Sequence, residues 1–92
     1  MIVDVKIDRQ AQKELRKLPA HIITKLRAWV DAVEHFGLEE VRKVPGFHDK
    51  PLRGNRAGQR SIRLSRAYRA IYIIEGKRLK IVVVKEVNKH DY

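Results

Sequence analysis

The final third of the chain limits the fold more than any other part. From Gln59 onward three apolar runs, "RSIRL", "YRAIYII" and "LKIVVVKEV", follow one another with only "SRA" and "EGKR" between them. They read as strands on tight connections, with Glu75-Gly76 suited to a hairpin turn. "IYII" and "IVVV" lack clean polar alternation, as expected of strands covered at least partly on both faces. The beginning of the chain reads differently. "IVDVKI" places Val3, Val5 and Ile7 on one side, the period-2 sign of a half-buried strand. Asp8 then offers an N-cap, and Ala11, Leu15 and Leu18 follow at helical spacing up to Pro19. "PAHIITKLRAWVDAVEHFG" restarts a helix with Pro19 near its first turn, an apolar stripe of Ile22, Leu26, Trp29, Val30 and Val33, and Gly37 as C-cap. The two helices are expected as an antiparallel pair. "LEEVRKV" adds a helical turn, and "PGFHDKPLRGNRAG" is expected as loop. The order is β-α-α-β-β-β: an α+β fold with two N-terminal helices packed on one face of a mainly antiparallel sheet.

Residues 1–92 are the size of a single domain, and 43% hydrophobic residues are enough for a core. With no cysteine there is no disulfide framework and no thiolate metal site. The start, "MIVDVKIDRQ", carries charges where a signal peptide needs its apolar region, and no run approaches the ~18 apolar residues of a membrane span. The expected location is cytoplasmic, away from membranes. Lys and Arg number 21 against 11 Asp and Glu, a net charge of +10. So basic a chain is drawn to polyanions, with nucleic acid or an acidic partner protein foremost.

The basic residues are not scattered. "RGNRAGQRSIRLSRAYR" carries arginine at positions 53, 56, 60, 63, 66 and 69. The spacing looks helical although the segment reads as strand. If residues 65–67 form the connection, the simplest register pairs Leu64 with Tyr68, Arg63 with Arg69 and Ile62 with Ala70. Arg63 and Arg69 then face each other, and like charges so placed destabilise by about 0.2–1 kcal/mol. An anion between them would relieve the repulsion, and two planar guanidinium forks suit a phosphate. Arg60 and Arg66 fall elsewhere or in the turn. Arg56, Arg60 and Arg66 read as solvated edge charges or as general attraction for a polyanion.

His21 and His35 read as helix-surface residues, and His48 as an exposed loop residue near the basic segment. The ending "NKHDY" brings an imidazole, a carboxylate and a phenol together after a strand, His90, Asp91 and Tyr92. It is suited to proton exchange near pH 7 and to stacking on a base, and from the residues alone a frayed end reads equally well. "GNRAG" lacks the Lys-Ser/Thr of a phosphate-binding loop, and no acidic cluster has two-metal nuclease spacing. Any cleavage is therefore expected without a metal or other cofactor. RNA permits that, because its 2'-hydroxyl attacks the adjacent phosphate once a base removes the proton.

"PLRGNRAGQRSIRLSRAYRAIY", the hairpin after it and "VNKHDY", together with the element order, resemble the RelE/ParE superfamily of bacterial toxins, most of all its RelE and HigB branch. The resemblance implies the toxin of a type II toxin-antitoxin system. It also implies cutting of messenger RNA in the ribosomal A site to leave a cyclic phosphate, whereas ParE relatives poison DNA gyrase. The implied partners are a cognate antitoxin, the ribosome and mRNA. By the same resemblance Arg69 stabilises the scissile phosphate and Arg63 contacts or activates the substrate. His90 and Tyr92 match the C-terminal catalytic positions, with Asp91 between them. Lys50 matches a catalytic or contacting position, and Arg53 an RNA contact, with Arg56 and Arg60 beside it in the basic segment. Ser61 stands where RelE has a lysine, which leaves His90, a lysine or an arginine as general base.

Overall fold

A computed structural model describes residues 3–76 and 80–89. The chain runs β1 (Val3–Ile7), α1 (Arg9–Leu15), α2 (Ala20–Phe36), α3 (Leu38–Arg42), β2 (Lys50–Pro51), β3 (Arg60–Arg63), β4 (Tyr68–Glu75) and β5 (Lys80–Lys89). The strands form one sheet in the order β1-β5-β4-β3-β2. The expected helices and antiparallel hairpins are present, and so is the helical turn at "LEEVR". The sheet adds features that the sequence reading did not contain. The segment read as loop contains the two-residue strand β2 and two 3-10 turns, Pro45–Phe47 and Gly54–Arg56. And β1 pairs with β5 in parallel, from Val3 opposite Lys80 to Ile7 opposite Val84. Parallel strands need a long intervening connection, which the helices and the first strands of the hairpin layer supply.

Asp8 caps α1, its carboxylate accepting from the Arg9 N–H at 2.9 Å. The helix stops at Leu15, short of Leu18, because Pro19 has no N–H to give to the Leu15 carbonyl. That carbonyl instead accepts from Leu18 N at 3.2 Å in a tighter turn. Pro19 lies just before α2 rather than in its first turn, and its own carbonyl accepts from Ile22 N at 3.0 Å. Gly37 closes α2 with φ +89, where a side chain would be strained, and its N–H donates to the Val33 carbonyl at 2.9 Å.

The buried stripe of α2 is Ile22, Leu26, Trp29 and Val33, with Val30 at its margin. It packs with Leu38 and Val41 of α3, Phe47, and Ile62, Leu64, Ala70, Tyr72 and Val87 of the sheet. Trp29 and Tyr72 lie at its centre, their rings 5.2 Å apart and tilted by 46°. β5 outruns β1, and α1 covers the remainder of its edge. Glu14 Oε1 accepts there from Val87 N at 3.0 Å, just past an irregularity in the β4–β5 register between Ile71 and Tyr72.

Trp29→Ala should destabilise the protein by about 3–5 kcal/mol, because the cavity it leaves is walled by the sheet and α3 and cannot collapse fully. Val30→Ala, at the edge of the stripe, should cost well under half of that. Urea unfolding followed by circular dichroism compares the two.

Candidate functional site

The β3–β4 hairpin has the register the sequence implied. Arg63 pairs with Arg69 and Ile62 with Ala70, while Leu64 N donates to the Tyr68 carbonyl at 2.9 Å. Ser65 holds the connection, its hydroxyl accepting from Ala67 N and Tyr68 N, both at 3.2 Å. Because side chains alternate across a strand, this register sorts the basic residues onto two faces.

On one face Arg63, Arg69 and Ser61 join Lys50, which β2 pairs opposite Ser61. Together with His48 and Tyr68 they line a cavity of about 100 Å³. Arg63 is exposed and Arg69 half-buried, and the buried Arg69 Nε has no hydrogen-bond partner among the described residues. An unsatisfied buried donor on a cation is costly, and an anion accepting from it would remove that cost. His48, read from sequence as an exposed loop residue, is exposed but also lines the cavity, from a left-handed backbone conformation (φ 46, ψ 47) that closes the Pro45–Phe47 turn.

On the other face Arg60 stands opposite Tyr72. Its Nε donates to Asp49 Oδ1 at 2.7 Å, and the Tyr72 hydroxyl donates to Asp49 Oδ2 at 2.5 Å. The Asp49 side chain is 1% exposed and that of Arg60 24%. Burial pulls the Arg60 guanidinium down, yet the bond to Asp49 and its charge hold it above its ordinary value. Tyr72 is pushed up to about 12, first by burial and then by Asp49, against the opposing pull of Arg42. Arg60 is thus tied into a buried network on the face away from the Arg63–Arg69 pair.

The remaining predicted residues separate. Arg53 is exposed ahead of the Gly54–Arg56 turn, and Arg56 Nη1 donates to Gln59 Oε1 at 3.2 Å. Neither lines the cavity. Arg66 is exposed in the hairpin connection. His90, Asp91 and Tyr92 lie outside the described residues, and β5 is described as far as Lys89, opposite Tyr68. Sequence reading weighed Asp49 only as a neighbour of His48, without metal-ligand spacing, and gave it no role. Its signal was indirect: an arginine on the helix-facing side of a strand needs a carboxylate, and Asp49 is the acid next to the strand that pairs there.

No family model and no curated protein matches the sequence. Solved structures match across nearly all of it. One belongs to the toxin-antitoxin complex RelBE2 from Mycobacterium tuberculosis, with 24% identity, 98% of this chain and 100% of that chain covered, and a TM-score of 0.72. Another belongs to the archaeal RelE-RelB complex from Pyrococcus horikoshii, with 25% identity, 97% and 96% covered, and a TM-score of 0.72. YafQ from E. coli matches at 16% identity over 95% and 92%, with a TM-score of 0.71. The chain has the RelE-like fold.

Two measurements probe this geometry. Arg63→Met should raise stability in low-salt buffer by about 0.2–1 kcal/mol by removing the like-charge pair. The variant should also lose most of the thermal stabilisation that millimolar phosphate gives the wild type. Separately, Tyr72 ionises near 10 when unfolded and at about 12 when folded, so its share of stability is complete below pH 10 and is lost as pH rises toward 12. Urea unfolding between pH 9 and 12 should therefore fall less steeply for Tyr72→Phe than for the wild type.

Proposed function

We propose that this chain is the toxin of a type II toxin-antitoxin pair, and that it cuts messenger RNA on the ribosome. The observation that carries this reading is the Arg63–Arg69 rung, facing one cavity with Lys50 and His48 while Arg69 Nε lacks a partner. Two fixed cations beside two further basic groups suit a phosphodiester in which negative charge grows during reaction.

The chemistry needs no outside nucleophile. A base takes the proton of the substrate's 2'-hydroxyl, the freed oxygen attacks the adjacent phosphorus, and the bond to the 5'-oxygen breaks as an acid protonates it. The products are a 2',3'-cyclic phosphate and a 5'-hydroxyl. Arg69 and Arg63 bear the charge of the five-coordinate phosphorus, His90 is the base and Tyr92 stacks on a nucleobase. Lys50 steadies the phosphate, while Arg53, Arg56 and Asp91 contact the flanking RNA. Arg60, whose Nε is bonded to Asp49, acts by holding that carboxylate behind the cavity. The partner is an acidic antitoxin, in keeping with the net charge of +10 and with the RelB-bound relatives.

Expression in bacteria tests the proposal. Wild type should arrest growth and cut mRNA. Arg69→Ala should lower cleavage about 100- to 1000-fold, the loss seen when one transition-state donor is removed. His90→Ala should lower it about 100- to 10,000-fold. Both variants should stay folded and still co-purify with antitoxin. Full toxicity in both would reject the assignments, and intact mRNA with inhibited gyrase would reject the cleavage itself.

A further inference from the structure

β2 is two residues long and makes two ladder pairs, Lys50 with Ser61 and Pro51 with Arg60. One further backbone bond, from Leu52 N to the Gln59 carbonyl at 2.9 Å, follows it. So short an edge strand cannot set its own register. The register nevertheless matters, because a slip of one residue would turn Lys50 from the cavity to the helix-facing side. His48 has a related need. A side-chain-bearing residue in the left-handed region persists only where its surroundings hold it.

Asp49 lies between these two residues. Its side chain, 1% exposed, takes the face opposite Lys50 and bridges a cross-strand pair, Arg60 of β3 and Tyr72 of β4. On the other flank of His48, Phe47 is buried in the core. A greasy side chain at position 49 would tolerate sliding, whereas a carboxylate with one oxygen on each of two donors fits one placement only.

We propose that Asp49 is a positioning residue of the cavity: by bonding Arg60 and Tyr72 it sets the register of β2, and so aims Lys50 and His48 at the Arg63–Arg69 pair. The inference rests on the RNA-cleaving reading of the cavity. It also explains why a chain with a strongly basic surface keeps an arginine tied to a buried acid behind its basic face.

The test is a mutant cycle on Asp49→Asn, which keeps the shape of the side chain and loses its charge. Ribosome-bound mRNA is the substrate, and kcat is measured in the wild-type background and in a His48→Ala/Lys50→Ala background. In the first, kcat should fall about 10- to 100-fold, the scale of a misplaced catalytic group. In the second, the same substitution should change kcat less than about twofold, because the residues it aims are gone. Equal losses in both backgrounds would overturn the proposal, since a purely stabilising role is blind to residues 48 and 50. If Asp49→Asn does not fold, Tyr72→Phe removes one of the two bonds, keeps the packing and runs through the same cycle.

Two readings need no cleavage. The cross-strand nuclear Overhauser contact between Lys50 and Ser61 should be present in the wild type and lost or weakened in Asp49→Asn. Inorganic phosphate should bind the variant several-fold more weakly. If both hold but the wild type leaves mRNA intact, the cleavage reading falls and the positioning role stands. If the wild type cuts and Asp49→Asn keeps both the contact and the rate, only the positioning role falls.

Discussion

Two arginines facing each other across one rung of the β3–β4 hairpin are the constraint on which the rest of the site depends. Arg63 and Arg69 repel, and the strands that carry them cannot move apart without breaking the central sheet. On the proposed reading, rigid presentation suits the pair to a phosphate: the donors would be in place before charge develops, so little reorganisation would be needed. The rigidity comes from behind. Ile62, Leu64, Ala70 and Tyr72 belong to the core against α2, so the strands that hold the cations are the ones the hydrophobic effect fixes most firmly.

The same alternation gives the other side of the hairpin a second charged arrangement with the opposite character. There Arg60 is satisfied by a carboxylate that also takes the Tyr72 hydroxyl, beneath a core aromatic pair. One face thus leaves its cations open to a ligand, and the other neutralises its cation internally. Arginines of identical chemistry at positions 60 and 63 have different surroundings because they differ by an odd number of residues along one strand.

Much of the fold was legible because its signals are local. The Asp8 cap, the stripe from Ile22 to Val33, the Gly37 stop and the turn at residues 65–67 each depend on a few neighbouring residues. The Arg63–Arg69 pairing followed from the turn alone. What could not be read locally is what depends on distant partners. The parallel union of β1 with β5 joins opposite ends of the chain, and the two-residue β2 is too short to leave a periodic signal. The contacts of Asp49 were not legible for the same reason: its partners are 11 and 23 residues away. The role of "HDY" came from resemblance, and those residues lie outside the described part of the chain.

The most direct measurement is made with purified protein on a 5'-labelled mRNA, alone and on programmed 70S ribosomes, with the ends of the fragments identified chemically. The account predicts cuts only with ribosomes, leaving a 2',3'-cyclic phosphate and a 5'-hydroxyl, and lost in Arg69→Ala. Intact mRNA from folded wild-type protein, or fragments ending in a plain 3'-hydroxyl, would contradict it.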